Sequence, residues 1–139
     1  MKTTIKTLSI IILLLLSFGA LYGGWALISD PAGNKMGLSI ELLKNTPFNN
    51  YFIPGLILLI INRLFPLLII VALIRKSKNY CWYLIFQGCL LISWLTAEVI
   101  LNKDFFIPSL HFPCYIIGIL LVLNGYLLKI ISVKSQKKQ

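Results

Sequence analysis

The chain has 139 residues, 58% of them hydrophobic and only 12% charged, with a formal net charge of +9. A soluble domain carries roughly twice that share of charge, so an ordinary water-soluble globule is excluded. The positive charges flank apolar runs and no nucleic-acid-binding motif occurs, which excludes nucleic acid as a partner and points to membrane lipids.

The first apolar run is Leu8 to Ile28, after Lys2 and Lys6. A secretory signal has a shorter core of about 7–15 residues followed by a small-x-small cleavage site. Here the apolar character continues through Trp25, Ala26 and Leu27, so the run reads as an uncleaved first helix. Gly19 with Gly23, and Ala20 with Gly24, have the small-xxx-small spacing that lets membrane helices approach closely. A polar stretch, Ser29 to Asn50, follows. Asp30-Pro31-Ala32-Gly33-Asn34 is a turn by composition. Apolar residues at 38, 42 and 43 predict a short amphipathic helix in the membrane interface, ended by Pro47 ahead of Phe48.

The second span runs from Phe52 to Ile74, with Pro54 tolerated in its first turn and Gly55 beside it. The third is Trp82 to Ile100, and the fourth is Pro113 to Ile131, again opened by a proline. The expected fold is all-α: a four-transmembrane-helix bundle with a short interfacial helix between helices 1 and 2. It is one membrane domain over 1–139, with spans about 8–28, 52–74, 82–100 and 113–131 and a basic tail, 132–139. Nine Lys and Arg lie at the N-terminus, the second-to-third loop and the C-terminus, against three in the other two loops. Such an excess belongs in the cytoplasm, so both termini are expected there.

Polar groups at membrane depth are the functional candidates. Arg63 lies about 16 Å from the end of its span at 1.5 Å per residue, near the midplane of a core about 30 Å thick. It is expected either to pair within the bundle or to snorkel to the headgroups. Pro66 has no amide hydrogen for the carbonyl of Asn62, so the helix should break there and form a polar notch of Asn62 and Arg63. On the third span Gln87, Leu91, Trp94 and Glu98 share one face. Gln87 can then reach the notch, and Glu98 is either the counter-charge of Arg63 or is solvated at the helix end. Asn124 on the fourth span lies at the depth of Gln87.

The only histidine, His111, sits on the outer side with Glu98, Asp30 and Asp104, but in no ligand spacing, so no metal is expected. Cys81, Cys89 and Cys114 form no CxxC pair and read as small apolar fillers. No nucleophile elbow, phosphate loop or catalytic carboxylate pair occurs, so no catalytic residue and no cofactor are expected.

Asp30-Pro31-Ala32-Gly33, Gly37-Leu38, Leu42-Leu43, Thr46-Pro47-Phe48 and Ile53-Pro54-Gly55-Leu56, with Trp94 to Val99 and Pro113-x-Tyr115, form a pattern. It resembles a family of small four-helix bacterial integral membrane proteins, uncharacterised in activity. The resemblance covers Gly23 to about Leu128 and implies a bacterial inner or plasma membrane protein. Glu98 fits the family's pattern, whereas Arg63 stands where the family usually has a small residue. The expected function is non-enzymatic binding of lipid or a partner subunit, with a homo-oligomer as one form of partner. The alternative is small-solute or proton-linked transport using Glu98 and Arg63.

Overall fold

The computed structural model describes residues 1–101 and 103–136. Four long helices carry the fold: α1, Lys2–Ser29; α2, Phe52–Ile74; α3, Tyr80–Leu101; and α4, Pro108–Gln136. Among the described residues there is no strand. All four helices are long and apolar enough to cross a bilayer. Lys137 and Lys138 of the expected basic tail lie outside the described residues.

The helices pack through glycines, because with no water to expel between lipid-facing helices, close backbone contact supplies the attraction. At the crossing of α1 and α2, a Cβ on Gly24 would come within 3.0 Å of the Gly55 carbonyl oxygen and within 2.6 Å of Leu59. At the crossing of α3 and α4, a Cβ on Gly88 would come within 2.5 Å of the Gly118 carbonyl oxygen. Between these contacts Leu13, Ile69, Leu84, Leu121 and Leu128 form the buried core. Leu15, Phe18, Tyr22, Trp25, Leu68 and Ile116 point outward and are exposed. An apolar surface of that kind has its match in acyl chains, not in water.

Two boundaries differ from expectation. The fourth helix begins at Pro108, not Pro113, so Pro113 lies inside it. Pro108 takes the first helical position, where a missing amide hydrogen has no cost, and the carbonyl of Ile107 already accepts from the amides of Leu110 and His111. The predicted amphipathic helix over 38–44 is not formed. The loop instead makes two short 3₁₀ turns, Asn34–Met36 and Ile40–Leu43, separated by Gly37 at φ 67°. The left-handed backbone at Gly37 ends the first turn, the second is a single 3₁₀ turn within 38–44, and Tyr51 organises the segment. Its hydroxyl donates to the Ser39 carbonyl at 2.7 Å, and its amide donates to the Pro31 carbonyl at 2.9 Å. Its ring packs with Leu27 and Leu43 in a small core of the loop's own. Gly33, at φ 84°, passes under that ring, where a Cβ would meet it at 2.8 Å.

In the middle of α2 the helix widens. Ile60–Leu64 form a π turn, in which the amide of Phe65 donates to the carbonyl of Ile60. The missing Pro66 amide lies just beyond it. The ladder absorbs the proline by taking in an extra residue, as π bulges at polar sites do.

Candidate functional site

The π turn aims Asn62 into the bundle, where it is 1% exposed. There its Oδ1 accepts a hydrogen bond from Nε2 of the fully buried Gln87 on α3, at 3.1 Å. A direct contact of α2 with α3 therefore joins two of the residues expected at this depth. Asn124 on α4 is also buried. The Oε1 of Gln87 and the Nδ2 of Asn124, an acceptor and a donor, have no hydrogen-bond partner. On the α1 side, Ser17 Oγ donates to the carbonyl of Arg63 at 3.4 Å.

Arg63 follows Asn62 but its side chain is only partly buried, and no ion pair among the described residues includes it. The expected pairing of Arg63 with Glu98 is thus not made. Glu98 belongs to the end of α3, whereas Arg63 lies in the π turn at the centre of α2.

Glu98 instead faces His111. The Nε2 of His111 lies 3.8 Å from a carboxylate oxygen of Glu98, with the imidazole side chain 1% exposed and the carboxylate side chain 25% exposed. On its other edge, Nδ1 of His111 contacts the backbone of Ile107, 3.3 Å from the amide and 3.1 Å from the carbonyl oxygen. When Nδ1 accepts from that amide, Nε2 carries the hydrogen; it faces Glu98 at a distance too long for a hydrogen bond and has no such partner among the described residues. Phe106 covers the ring, with centroids 5.3 Å apart. Two residues before Glu98 on α3 and four after His111 on α4, Thr96 Oγ1 and the Tyr115 hydroxyl lie 3.1 Å apart, so α3 and α4 meet through polar pairs along the same seam. Among the described residues no third His, Cys, Asp or Glu joins Glu98 and His111.

Glu98 also lines a small cavity of about 60 Å³ together with Leu43, Thr46, Phe48, Pro54, Trp94 and Leu101. The outer-loop candidates are divided by it. Phe48 and Pro54 line the cavity. Asp30 accepts the Lys35 amide at 2.8 Å, Gly33 turns beneath Tyr51, Gly55 packs on Gly24, and Pro47 is exposed. Tyr51 stands near enough to feel the charge of Glu98; burial first, and that charge second, push its hydroxyl pKa up.

Sequence reasoning placed His111 on the side of Glu98 without pairing the two, and it missed Tyr51. One signal existed for His111. In a helical hairpin, residues equally distant from the connection meet, and Glu98 and His111 are so placed about residues 102–107. For Tyr51 no local pattern marks a ring that turns back onto the preceding loop.

Four apolar spans around a buried amide layer, with a carboxylate–imidazole contact near one end, define a multi-pass integral membrane protein. Comparison with family models, with curated proteins and with solved structures finds no match to this chain.

Proposed function

We propose that the chain is a non-enzymatic membrane protein that binds a lipid or a partner subunit at the end carrying Glu98. The observation behind this reading is the cavity of about 60 Å³, with apolar walls and one carboxylate. Apolar walls with a single convergent polar group are the lining of a binding site, and at about 60 Å³ this one seats the end of an acyl chain or of one side chain; a carboxylate near a helix end inside a membrane is a functional candidate by default. In this reading both termini and the loop at 75–78 face the cytoplasm by the excess of Lys and Arg, and Glu98 opens outward.

A photoreactive residue at Ala97, which lines the cavity, tests it in native membranes. The expected result is an adduct to one lipid species or one polypeptide, lost in Glu98→Gln. A probe at Ala97 that captures only the lipid mixture captured at outward-facing Leu68 overturns the reading.

The Glu98–His111 contact favours a second reading, proton-linked transport. Proteoliposomes that dissipate an imposed pH gradient, with the activity abolished by Glu98→Gln, would select it over binding alone.

A further inference from the structure

The end of the bundle that carries both termini holds Lys2 and Lys6 on α1, Arg75, Lys76 and Lys78 after α2, and Lys129 and Lys134 on α4. None of the chain's four acids is there: Asp30, Glu41, Glu98 and Asp104 all belong to the opposite end. Within this group Lys2 stands one turn before Lys6 on the same face of α1, and Lys76 precedes Ser77, whose carbonyl accepts from the amide of Tyr80. Lys6 in turn lies over the ring of Tyr80, 4.2 Å from the centroid, and Lys129 over the ring of Trp82 at 4.0 Å. The rings hold two of the ammonium groups beside the helix ends without neutralising them.

Lys76 is distinguished further by its backbone. Its φ of 53° is the one positive value at a non-glycine residue among those described. The amide of Ser77 donates to the carbonyl of Ala72, and that of Lys76 to the carbonyl of Leu73. This is a Schellman ending, whose left-handed position ordinarily belongs to glycine. A lysine there strains the backbone and adds a positive charge to two others. The gathered charge is unfavourable for the chain by itself and is relieved by an anion held among the three ammonium groups, which accounts for a lysine at a position that glycine would fill without strain.

We propose that Lys2, Lys6 and Lys76 form a binding site for the phosphate of an anionic phospholipid headgroup. The occupant is a lipid because the site lies at the ends of membrane-spanning helices, level with the interfacial rings of Tyr80 and Trp82. This does not depend on the reading of the Glu98 end.

The test is thermal unfolding of the full chain in nanodiscs of phosphatidylcholine, with and without phosphatidylglycerol. Phosphatidylglycerol should raise the Tm of the wild type. Lys76→Gly should raise the Tm in pure phosphatidylcholine, because it removes the backbone strain, yet lose most of the rise given by phosphatidylglycerol. Lys6→Gln should lose that rise as well, and Lys134→Gln, at the same end but outside the triad, should keep it. A Lys76→Gly protein that retains the full rise overturns the site. So does an equal loss in Lys134→Gln, which would mean diffuse attraction to the anionic surface. Inorganic phosphate added to the protein in detergent should give no rise; a rise equal to that from phosphatidylglycerol would overturn the lipid assignment.

Discussion

His111 Nε2 and a carboxylate oxygen of Glu98 face each other across 3.8 Å in the seam between α3 and α4. A group buried this far from water depends on its partner, and removing either one strands the other. Glu98→Gln and His111→Phe should each destabilise the protein by about 1–3 kcal/mol, and the double variant should lose less than the sum. Unfolding of the four proteins in detergent measures this. Strict additivity would show that the two side chains do not interact. Arg63→Leu combined with Glu98→Gln should, by contrast, be additive, since those two residues form no ion pair.

The amide layer gives predictions of opposite sign. Gln87→Leu removes the donor to Asn62 and leaves a buried acceptor unpaired. It should destabilise by about 0.6–2 kcal/mol, given the modest worth of interhelical amide bonds in membranes and the cost of a stranded group. Asn124→Leu removes a buried Nδ2 that has no partner, and it should be neutral or stabilising. Reversible unfolding in detergent distinguishes them. If Asn124→Leu is the more damaging change, Asn124 has a bridging role between helices.

The bundle itself was legible from the sequence because each span is an unbroken apolar run, and no soluble fold tolerates four of those. The meeting of Asn62 with Gln87 was legible for a related reason: Pro66 forces a break, and polar groups at that depth must gather. What could not be read was a matter of register. Whether Glu98 meets Arg63 or His111 depends on how far α3 slides along its neighbours. That is set by the contact of Gly88 with Gly118, which is invisible to hydropathy. The loop at 38–44 misled for a different reason. Its apolar residues pack around Tyr51, a contact distant in sequence, and their spacing suggested a helix only by coincidence.

The glycines differ in what they tolerate. Gly88→Ala would place a methyl 2.5 Å from the Gly118 carbonyl oxygen and 2.7 Å from Val122. It should cost about 1–3 kcal/mol by forcing α3 and α4 apart. Gly19→Ala meets nothing within 4 Å and should be neutral, or stabilising by up to about 1 kcal/mol through helix propensity. Parallel melting curves of the two variants suffice. Equal losses would mean that Gly19 also faces a helix, one belonging to another copy.

Tyr51 makes the loop's order sensitive to alkali. Burial raises its hydroxyl pKa above the unfolded value, so the folded state holds the proton more tightly. The stabilisation is complete below the unfolded value of about 10 and is lost as pH rises from there through the folded pKa. Tyr51→Phe removes the bond to the Ser39 carbonyl and should cost about 1 kcal/mol. Proteolysis of the 29–51 loop should accelerate above about pH 10 in the wild type. The variant, with no phenol at this position, should lack the tyrosine's share of that step.

The π turn at Ile60–Leu64 also bears on how this chain tolerates changes of length. It accommodates one residue more than an α-helical turn would. Deleting a single residue there would remove that extra residue, restore an unbroken α-helix and leave Ile69 and Leu73 in the core. The same deletion in the regular helix on either side would rotate everything beyond it by about 100° and turn outward-facing neighbours into the core. The bundle thus reads the sequence of α2 in two phases, joined at the π turn. A one-residue deletion within the turn merges the phases, whereas one a turn later is a frameshift of packing.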